Sequence, residues 1–229
     1  MPFILGSKNL GKTNVREIGG KGANLAELIN AGFPVPPVFF IAVEAFDRFL
    51  EENELKQKIK DIIAKIDFSS VDSLKDASDR IKNMILNGRI PSVIHDAILS
   101  EYNKMSYSDD SGTDFDNTGK NLPFVAVRSS GTSEDAKGAS SAGQYETFLN
   151  VRGDKNLMLS VMKCWASVYT PRVIYYRYKN SQSQESSISV VVQRMINSDR
   201  SGVAFTIDPM NPVNGARNII IEACWGLGE

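Results

Sequence analysis

The stretch Phe124–Asp135 reads FVAVRSSGTSED, and it is followed at Gly138–Thr147 by GASSAGQYET. Its first four residues are apolar and predict a buried strand, which ends on the fixed cation Arg128. Small side chains in the two following loops allow backbone N–H groups to approach an anion closely, and a guanidinium neutralises it. The pattern therefore predicts a polyphosphate site, although a polar strand-to-loop crossover with a solvated arginine would read the same way.

The composition is that of a globular protein with no bias toward charged partners. The chain has 229 residues, 42% hydrophobic and 23% charged, which suits one large domain or two subdomains that share a cleft. A net charge of −1 gives no basic excess for nucleic acid or an anionic membrane, so phosphate binding must depend on a few placed cations. We therefore expect neither nucleic acid nor a membrane as a partner.

The cysteines and the N-terminus favour a cytoplasmic location. The longest apolar stretch, Val35–Val43, is interrupted by prolines and is too short to span a bilayer, and the first residues lack a signal-peptide pattern. Cys164 and Cys224 have neither metal-site nor disulfide-framework spacing, as in a reducing compartment. We assign no residue of the chain as a metal ligand.

Hydrophobic patterning predicts an α+β fold in two parts. Residues 1–121 form the predicted N-terminal subdomain, with a glycine-lysine loop and a helical scaffold. Residues 122–229 form a predicted sheet-rich subdomain, and the Ser/Asp/Gly/Asn-rich stretch 106–121 connects the two. Strands are predicted at 188–194, 202–207 and 218–222, the last two as an antiparallel hairpin.

Two glycine-rich segments compete as phosphate loops. GSKNLGKT at Gly6–Thr13 matches G-x-x-x-x-G-K-[ST] letter by letter, but the strand before it has room for only about three residues and a glycine pair interrupts the helix after it. GGKG at Gly19–Gly22 opens a helix predicted over residues 23–31, where backbone N–H groups and the Lys21 ammonium would face an anion. A flexible turn with a solvated lysine is the alternative for this second segment.

Read together, three groups of motifs resemble the pyruvate, phosphate dikinase and phosphoenolpyruvate synthase family. The first is EIGGKGANLAELINAGFPVPP at Glu17–Pro37, and the second joins VRSSGTSED to ASSAGQYETFLN, which ends at Asn150. The third comprises VQRMI at Val192–Ile196, SGVAFTIDP at Ser201–Pro209 and IEACWGLGE at Ile221–Glu229. The resemblance implies an ATP-grasp fold, with ATP held between two α+β subdomains, truncated here before its C-terminal strands.

The resemblance also implies roles for individual positions. Lys21 and Arg128 would contact the ATP phosphates and act as the catalytic cations. The positions that would bind the nucleotide with them are Ser129, Ala142, Gly143, Thr147, Gln193, Arg194, Met195, Ile196 and Glu222. Of these, residues 193–196 would meet adenine through backbone hydrogen bonds and apolar side chains, which an ordinary sheet core would also explain. Glu222 would end an inner strand near the nucleotide, unless it is a structural carboxylate.

The implied activity is that of a longer protein. ATP would phosphorylate a histidine on a downstream domain, and the phosphohistidine would pass the group to pyruvate, while Lys21, Arg128 and Mg²⁺ neutralise the transferring phosphoryl group. We expect the fragment to be inactive alone, with the magnesium ligands beyond residue 229. The loop ASSAGQ is closer to the phosphoenolpyruvate synthase and rifampin phosphotransferase types than to the Met-rich loop of pyruvate, phosphate dikinases. A rifampin phosphotransferase-like enzyme, a pyruvate, phosphate dikinase and a non-catalytic nucleotide-binding module are the alternatives.

Overall fold

The computed structural model describes residues 2–106, 122–132, 146–184, 187–208, 210 and 218–228. Contacts within it divide the chain into two units, residues 1–195 and residues 196–229. Strands from both sides of the boundary predicted between residues 121 and 122 pair within one sheet of the first unit, and the two predicted subdomains stay a prediction. Each unit is described below by itself.

The first unit is built on a five-stranded antiparallel sheet. In spatial order its strands are β1 (Ile4–Gly6), β2 (Val38–Ile41), β5 (Ile188–Arg194), β3 (Val125–Gly131) and β4 (Thr147–Val151). Every neighbouring pair is antiparallel, and β5 is the central strand. Its residues 190–192 are all valine and fully buried, as β-branched side chains covered on both faces of a sheet should be.

The helices of the first unit lie between these strands in the chain. In the described part of the first unit they are a 3-10 helix at Lys12–Asn14, α1 (Val15–Asn30), α2 (Val43–Glu52), α3 (Leu55–Ile63), α4 (Val71–Leu86), α5 (Ser92–Ser106), α6 (Asp154–Ser167) and α7 (Pro171–Lys179). Among them, no helix combines the length and the apolar character that crossing a membrane requires. Helix α1 ends where the sequence predicts, because Gly32 follows it with φ +79°.

The two faces of the sheet carry separate hydrophobic clusters. On one face, Ile18 and Ala23 of α1 cluster with Phe40 of β2 and Val191 of β5. On the other face, a larger cluster is centred on the ring of Trp165, whose neighbours are aromatic residues of α2. Side chains alternate between the two faces along a strand, so the cluster to which one residue of β3 or β5 belongs shows which face each of its neighbours occupies.

The second unit contains an antiparallel pair of strands, β6 (Arg200–Phe205) and β7 (Ile220–Trp225). Their register runs from Arg200 opposite Trp225 to Phe205 opposite Ile220, which confirms the predicted pairing. At one end the Arg200 guanidinium lies 4.7 Å from the centre of the Trp225 ring, a cation–π contact.

The two cysteines lie in contrasting environments. Cys164 is fully buried in α6, with its thiol 3.8 Å from the carbonyl oxygen of Val127, whereas Cys224 of β7 is exposed. Burial raises the pKa of the Cys164 thiol, the charge of Glu146 raises it further, and Lys21 opposes both. The folded chain therefore favours the protonated thiol, and this contribution to stability is lost as the pH rises above the ordinary thiol pKa.

We expect iodoacetamide at about pH 8 to modify Cys224 in the folded chain and to reach Cys164 only after unfolding, because the thiolate is the reactive form. Peptide mass spectrometry after native and denatured labelling measures the two sites separately. Equal labelling of both cysteines in the native protein would contradict the burial of α6 against the sheet.

Candidate functional site

Helix α1 is interrupted at Gly19. This residue has φ 68° and ψ 174°, a conformation that is almost restricted to glycine. A Cβ atom at Gly19 would lie only 2.3 Å from both the carbonyl and the hydroxyl oxygen of Ser130 on β3. Helix α1 resumes directly after Gly19, and this second segment corresponds to the helix predicted over residues 23–31. Lys21 lies in its first turn.

The hydroxyl of Ser130 bridges the interruption. In a continuous helix the Gly22 N–H would donate to the Ile18 carbonyl oxygen. Here it donates to Ser130 Oγ at 3.1 Å, and the same hydroxyl donates to the Ile18 oxygen at 2.9 Å. Ser189, which is paired with Ser130 across β3 and β5, also donates to the Ile18 oxygen. Both serines are fully buried, and a side chain inserted into the helical ladder is an established cause of a kink.

The interruption brings Lys21 to strand β3. Its Nζ atom donates to the carbonyl oxygen of Ser129 at 3.0 Å, although the two residues are 108 positions apart in sequence. Ser130 faces α1, so Arg128, two residues earlier on the same strand, lies on the α1 face as well. The two cations predicted from the sequence therefore converge on one face of β3.

Arg128 has a predicted site residue as its neighbour on strand β4. It is directly opposite Thr147, and opposed residues of antiparallel strands have adjacent side chains. Ser129 is turned away from this face: it is 1% exposed, and its hydroxyl donates to the Glu146 carbonyl oxygen at 2.7 Å. The group that Ser129 offers toward the site is its backbone carbonyl, which holds Lys21, and its contact with a nucleotide stays a prediction.

The predicted adenine segment begins at the end of β5. Gln193 is two residues from Val191 and so shares the α1 face with Arg128. The Arg194 N–H donates to the Pro37 oxygen, and the Met195 N–H donates to the Phe124 oxygen, both at 2.9 Å.

Among residues 194–196, one backbone N–H group is not engaged by a described residue. Met195 is tied further, since its sulfur accepts the Asn150 N–H at 2.9 Å. Ile196 is 57% exposed, and no acceptor for its N–H is found within the part of the chain that the structure describes. Of residues 194–196, Ile196 is therefore the one whose backbone donor is not already engaged by a described residue.

The remaining predicted residues lie in other parts of the chain. Glu222 is exposed on β7, opposite Val203, and belongs with Ile196 to the second unit. Ala142 and Gly143 lie outside the described residues. Within the described ranges, no group of three or more His, Cys, Asp or Glu side chains is arranged to hold a metal ion.

The competing segment Gly6–Thr13 does not form a P-loop. Its preceding strand β1 has three residues, and a 3-10 helix follows where a P-loop has the start of an α-helix. The Lys12 N–H, which would face a phosphate in a P-loop, donates to the Glu27 carboxylate at 2.8 Å, and the Gly11 N–H donates to Asn14 at 3.1 Å. The Glu27 carboxylate therefore accepts the hydrogen bond that a bound phosphate would accept in a P-loop.

Two residues that shape this site, Ser130 and Ser189, were not predicted from the sequence. Ser130 lies within the motif VRSSGTSED, but its contact with α1 joins two segments that are far apart in the sequence, so no local pattern predicts it. Ser189 lies in the strand ISVVVQR, and a polar residue within its fully buried part, residues 188–192, is a signal of a specific hydrogen bond.

Comparisons with known proteins support one family. The chain matches the family described as pyruvate phosphate dikinase, AMP/ATP-binding domain over residues 15–229. A probable phosphoenolpyruvate synthase of Methanocaldococcus jannaschii is 38% identical over 230 residues, which cover 100% of this chain and 18% of the relative. A probable phosphoenolpyruvate synthase of Archaeoglobus fulgidus is 40% identical over 227 residues, covering 99% of this chain and 28% of the relative.

A phosphoenolpyruvate synthase of Pyrococcus furiosus is 35% identical over 260 residues, covering 99% of this chain and 30% of the relative. The chain thus spans less than a third of the length of these three relatives. The family match includes the interrupted helix, the Arg128 strand and the hairpin of the second unit. The chain belongs to the family of the pyruvate phosphate dikinase AMP/ATP-binding domain.

Proposed function

We propose that this chain binds MgATP on the α1 face of β3 and β5, as the nucleotide-binding part of a phosphoenolpyruvate synthase-like phosphotransferase. The observation that carries the proposal is the convergence of two cations on this face. Lys21 is held at 3.0 Å from the Ser129 oxygen, one residue along β3 from Arg128. The similarity to proteins described as phosphoenolpyruvate synthases favours this enzyme over an antibiotic phosphotransferase.

Lys21 and Arg128 would bind the phosphates in different ways. Lys21 is a point charge in the first turn of a helical segment, where the positive end of the helix dipole adds to its attraction for an anion. Arg128 carries a planar fork that can donate two parallel hydrogen bonds to phosphate oxygens. Thr147, opposite Arg128, would contribute a hydroxyl. Ala142 and Gly143, which lie outside the described residues, stay predicted phosphate contacts.

The adenine would be recognised at the end of β5. Because the N–H groups of Arg194 and Met195 are already bonded to backbone carbonyls, we assign the donor to the adenine ring to Ile196. Gln193, on the same face as Arg128, would contact the nucleotide through its side chain, and Met195 and Ile196 would supply the apolar surface that a flat ring needs. The contact between Glu222 and a nucleotide stays a prediction.

In the whole protein, ATP and water would yield AMP, phosphate and a phosphorylated histidine on another domain, which would then phosphorylate pyruvate. Charge spreads over the transferring phosphoryl group in such a reaction, and Lys21 and Arg128 would stabilise it. We treat magnesium as part of the MgATP substrate and assign it no ligand among the described residues. A cytoplasmic enzyme fits the two free cysteines.

The proposed site is tested by titrating the chain with MgATP in a calorimeter, with Lys12→Ala as a control variant. Lys12 belongs to the rejected P-loop match and its side chain is exposed, so we expect its removal to change the dissociation constant by less than about twofold. A wild-type chain that does not bind MgATP would overturn the proposal. A loss of binding in Lys12→Ala would instead favour the P-loop at Gly6–Thr13.

A further inference from the structure

The contact between α1 and the sheet combines apolar packing with a buried polar cluster. Around it, Ile18 and Ala23 pack against Phe40 and Val191. At the interruption of α1, however, the Ser130 and Ser189 hydroxyls are both fully buried and both donate to one acceptor, the Ile18 carbonyl oxygen. Burying polar groups is favourable only when their hydrogen bonds are made, so this arrangement is specific to one backbone geometry.

The acceptor exists because the helix is broken. A continuous helix would use the Ile18 oxygen to accept the Gly22 N–H, and no serine would be required. With Gly19 outside the helical conformation, the Ser130 hydroxyl accepts from Gly22 and donates to Ile18, which completes the interrupted bond through a side chain. Ser189 supplies the second donor that a carbonyl oxygen with two lone pairs can accept.

This hydrogen-bonded set lies directly beside Lys21. Gly22, whose N–H is held by Ser130, is the next residue in the chain, and the Lys21 side chain reaches the carbonyl of Ser129, the residue before Ser130. Lys21 is therefore held at two points by β3: Ser130 holds the backbone next to it, and the Ser129 carbonyl accepts a hydrogen bond from its ammonium. Loss of the serine hydroxyls would leave the Lys21 charge intact but release the turn that carries it.

We infer that Ser130 and Ser189 are positioning residues, which hold the α1 interruption against β3 and β5 and thereby place Lys21 for the phosphates of ATP. The inference rests on the proposed function. Neither serine would touch the nucleotide, because both are fully buried. Their contribution is exerted through Lys21 and is absent when Lys21 is absent.

The test uses Ser130→Ala and Ser189→Ala, each alone and combined with Lys21→Ala, in calorimetric titrations with MgATP. We expect Ser130→Ala to weaken MgATP binding about tenfold and Ser189→Ala less, because Ser130 still bridges the interruption in the latter. In the Lys21→Ala background the same serine substitutions should change the dissociation constant by less than about twofold. A merely structural role would not produce this dependence on Lys21.

Ser78→Ala is the matched control. Ser78 of α4 is also fully buried, and its hydroxyl donates at 2.7 Å to the carbonyl oxygen of Tyr169, which lies between α6 and α7 in the chain. It should lower the melting temperature as the other serine variants do and leave MgATP binding unchanged.

If Lys21→Ala weakens binding while both serine variants bind like Ser78→Ala, the positioning role is wrong and the proposed site stands. Serine effects that persist undiminished without Lys21 would also overturn the positioning role. If Lys21→Ala and Arg128→Ala both bind MgATP as the wild type does, the proposed function is wrong and the positioning role falls with it. Because Ser189→Ala is the milder change, it keeps the test decisive if Ser130→Ala does not fold.

Discussion

Gly19→Ala is expected to destabilise the first unit more than Gly22→Ala in the same helix. Its backbone conformation costs a non-glycine residue about 1–3 kcal/mol, and displacing the Ser130 backbone, 2.3 Å from the new Cβ, costs about 1–3 kcal/mol more. The expected total is about 2–6 kcal/mol, a large part of the stability of an ordinary domain. Since the carbonyl is backbone, no rotamer change can relieve the clash.

Gly32→Ala is the control for the backbone term. Gly32 also has a positive φ, but nothing lies within 4 Å of a Cβ there, so we expect a loss of about 1–2 kcal/mol. Urea unfolding followed by the fluorescence of the buried Trp165, in a Trp225→Phe background, reports on the first unit. Equal losses for the two alanine variants would show that α1 does not approach β3 as described.

Arg128→Ala and Lys21→Ala are expected to weaken MgATP binding by about 10- to 100-fold each. A hydrogen bond to a charged group contributes about 1.5–3 kcal/mol, and about 1.4 kcal/mol corresponds to a factor of ten in affinity. Arg128→Lys should recover only part of the loss, because an ammonium keeps the charge but not the two-pronged geometry of the guanidinium.

The binding of adenosine separates a phosphate contact from general damage to the site. Adenosine has no phosphate, so its affinity should be the same for the wild type, Arg128→Ala and Lys21→Ala. Competition titrations against MgATP measure both ligands under one condition. An Arg128→Ala variant that loses adenosine and MgATP in equal proportion would assign Arg128 to the folding of the site and not to the phosphates.

Local patterns in the sequence predicted much of the fold. The end of α1 before Gly32, the strand at residues 188–194 and the antiparallel pairing of β6 with β7 were all correct, because each depends on neighbouring residues. The order of the five strands was not predictable in this way. Strand β2 pairs with β5 although most of the sequence of the first unit lies between them, and no local signal specifies such a distant partner.

Two features of the site also depend on contacts between distant segments. The glycine pair before Lys21 predicted the start of a helix, whereas α1 begins earlier, at Val15, and is interrupted at Gly19. The reason is the approach to Ser130, which cannot be read from either segment alone. Likewise, β2 and β3 lie on opposite sides of the polar stretch 106–121, and both pair with β5.

The central claim is that Lys21 and Arg128 act on the phosphates of one nucleotide. The most direct measurement is the ratio of MgATP affinity to AMP affinity in the wild type and in the Lys21→Ala, Arg128→Ala double variant. Because AMP lacks the two terminal phosphates, removing both cations should reduce this ratio by at least about a hundredfold. A double variant that keeps the wild-type preference for MgATP over AMP would contradict the account.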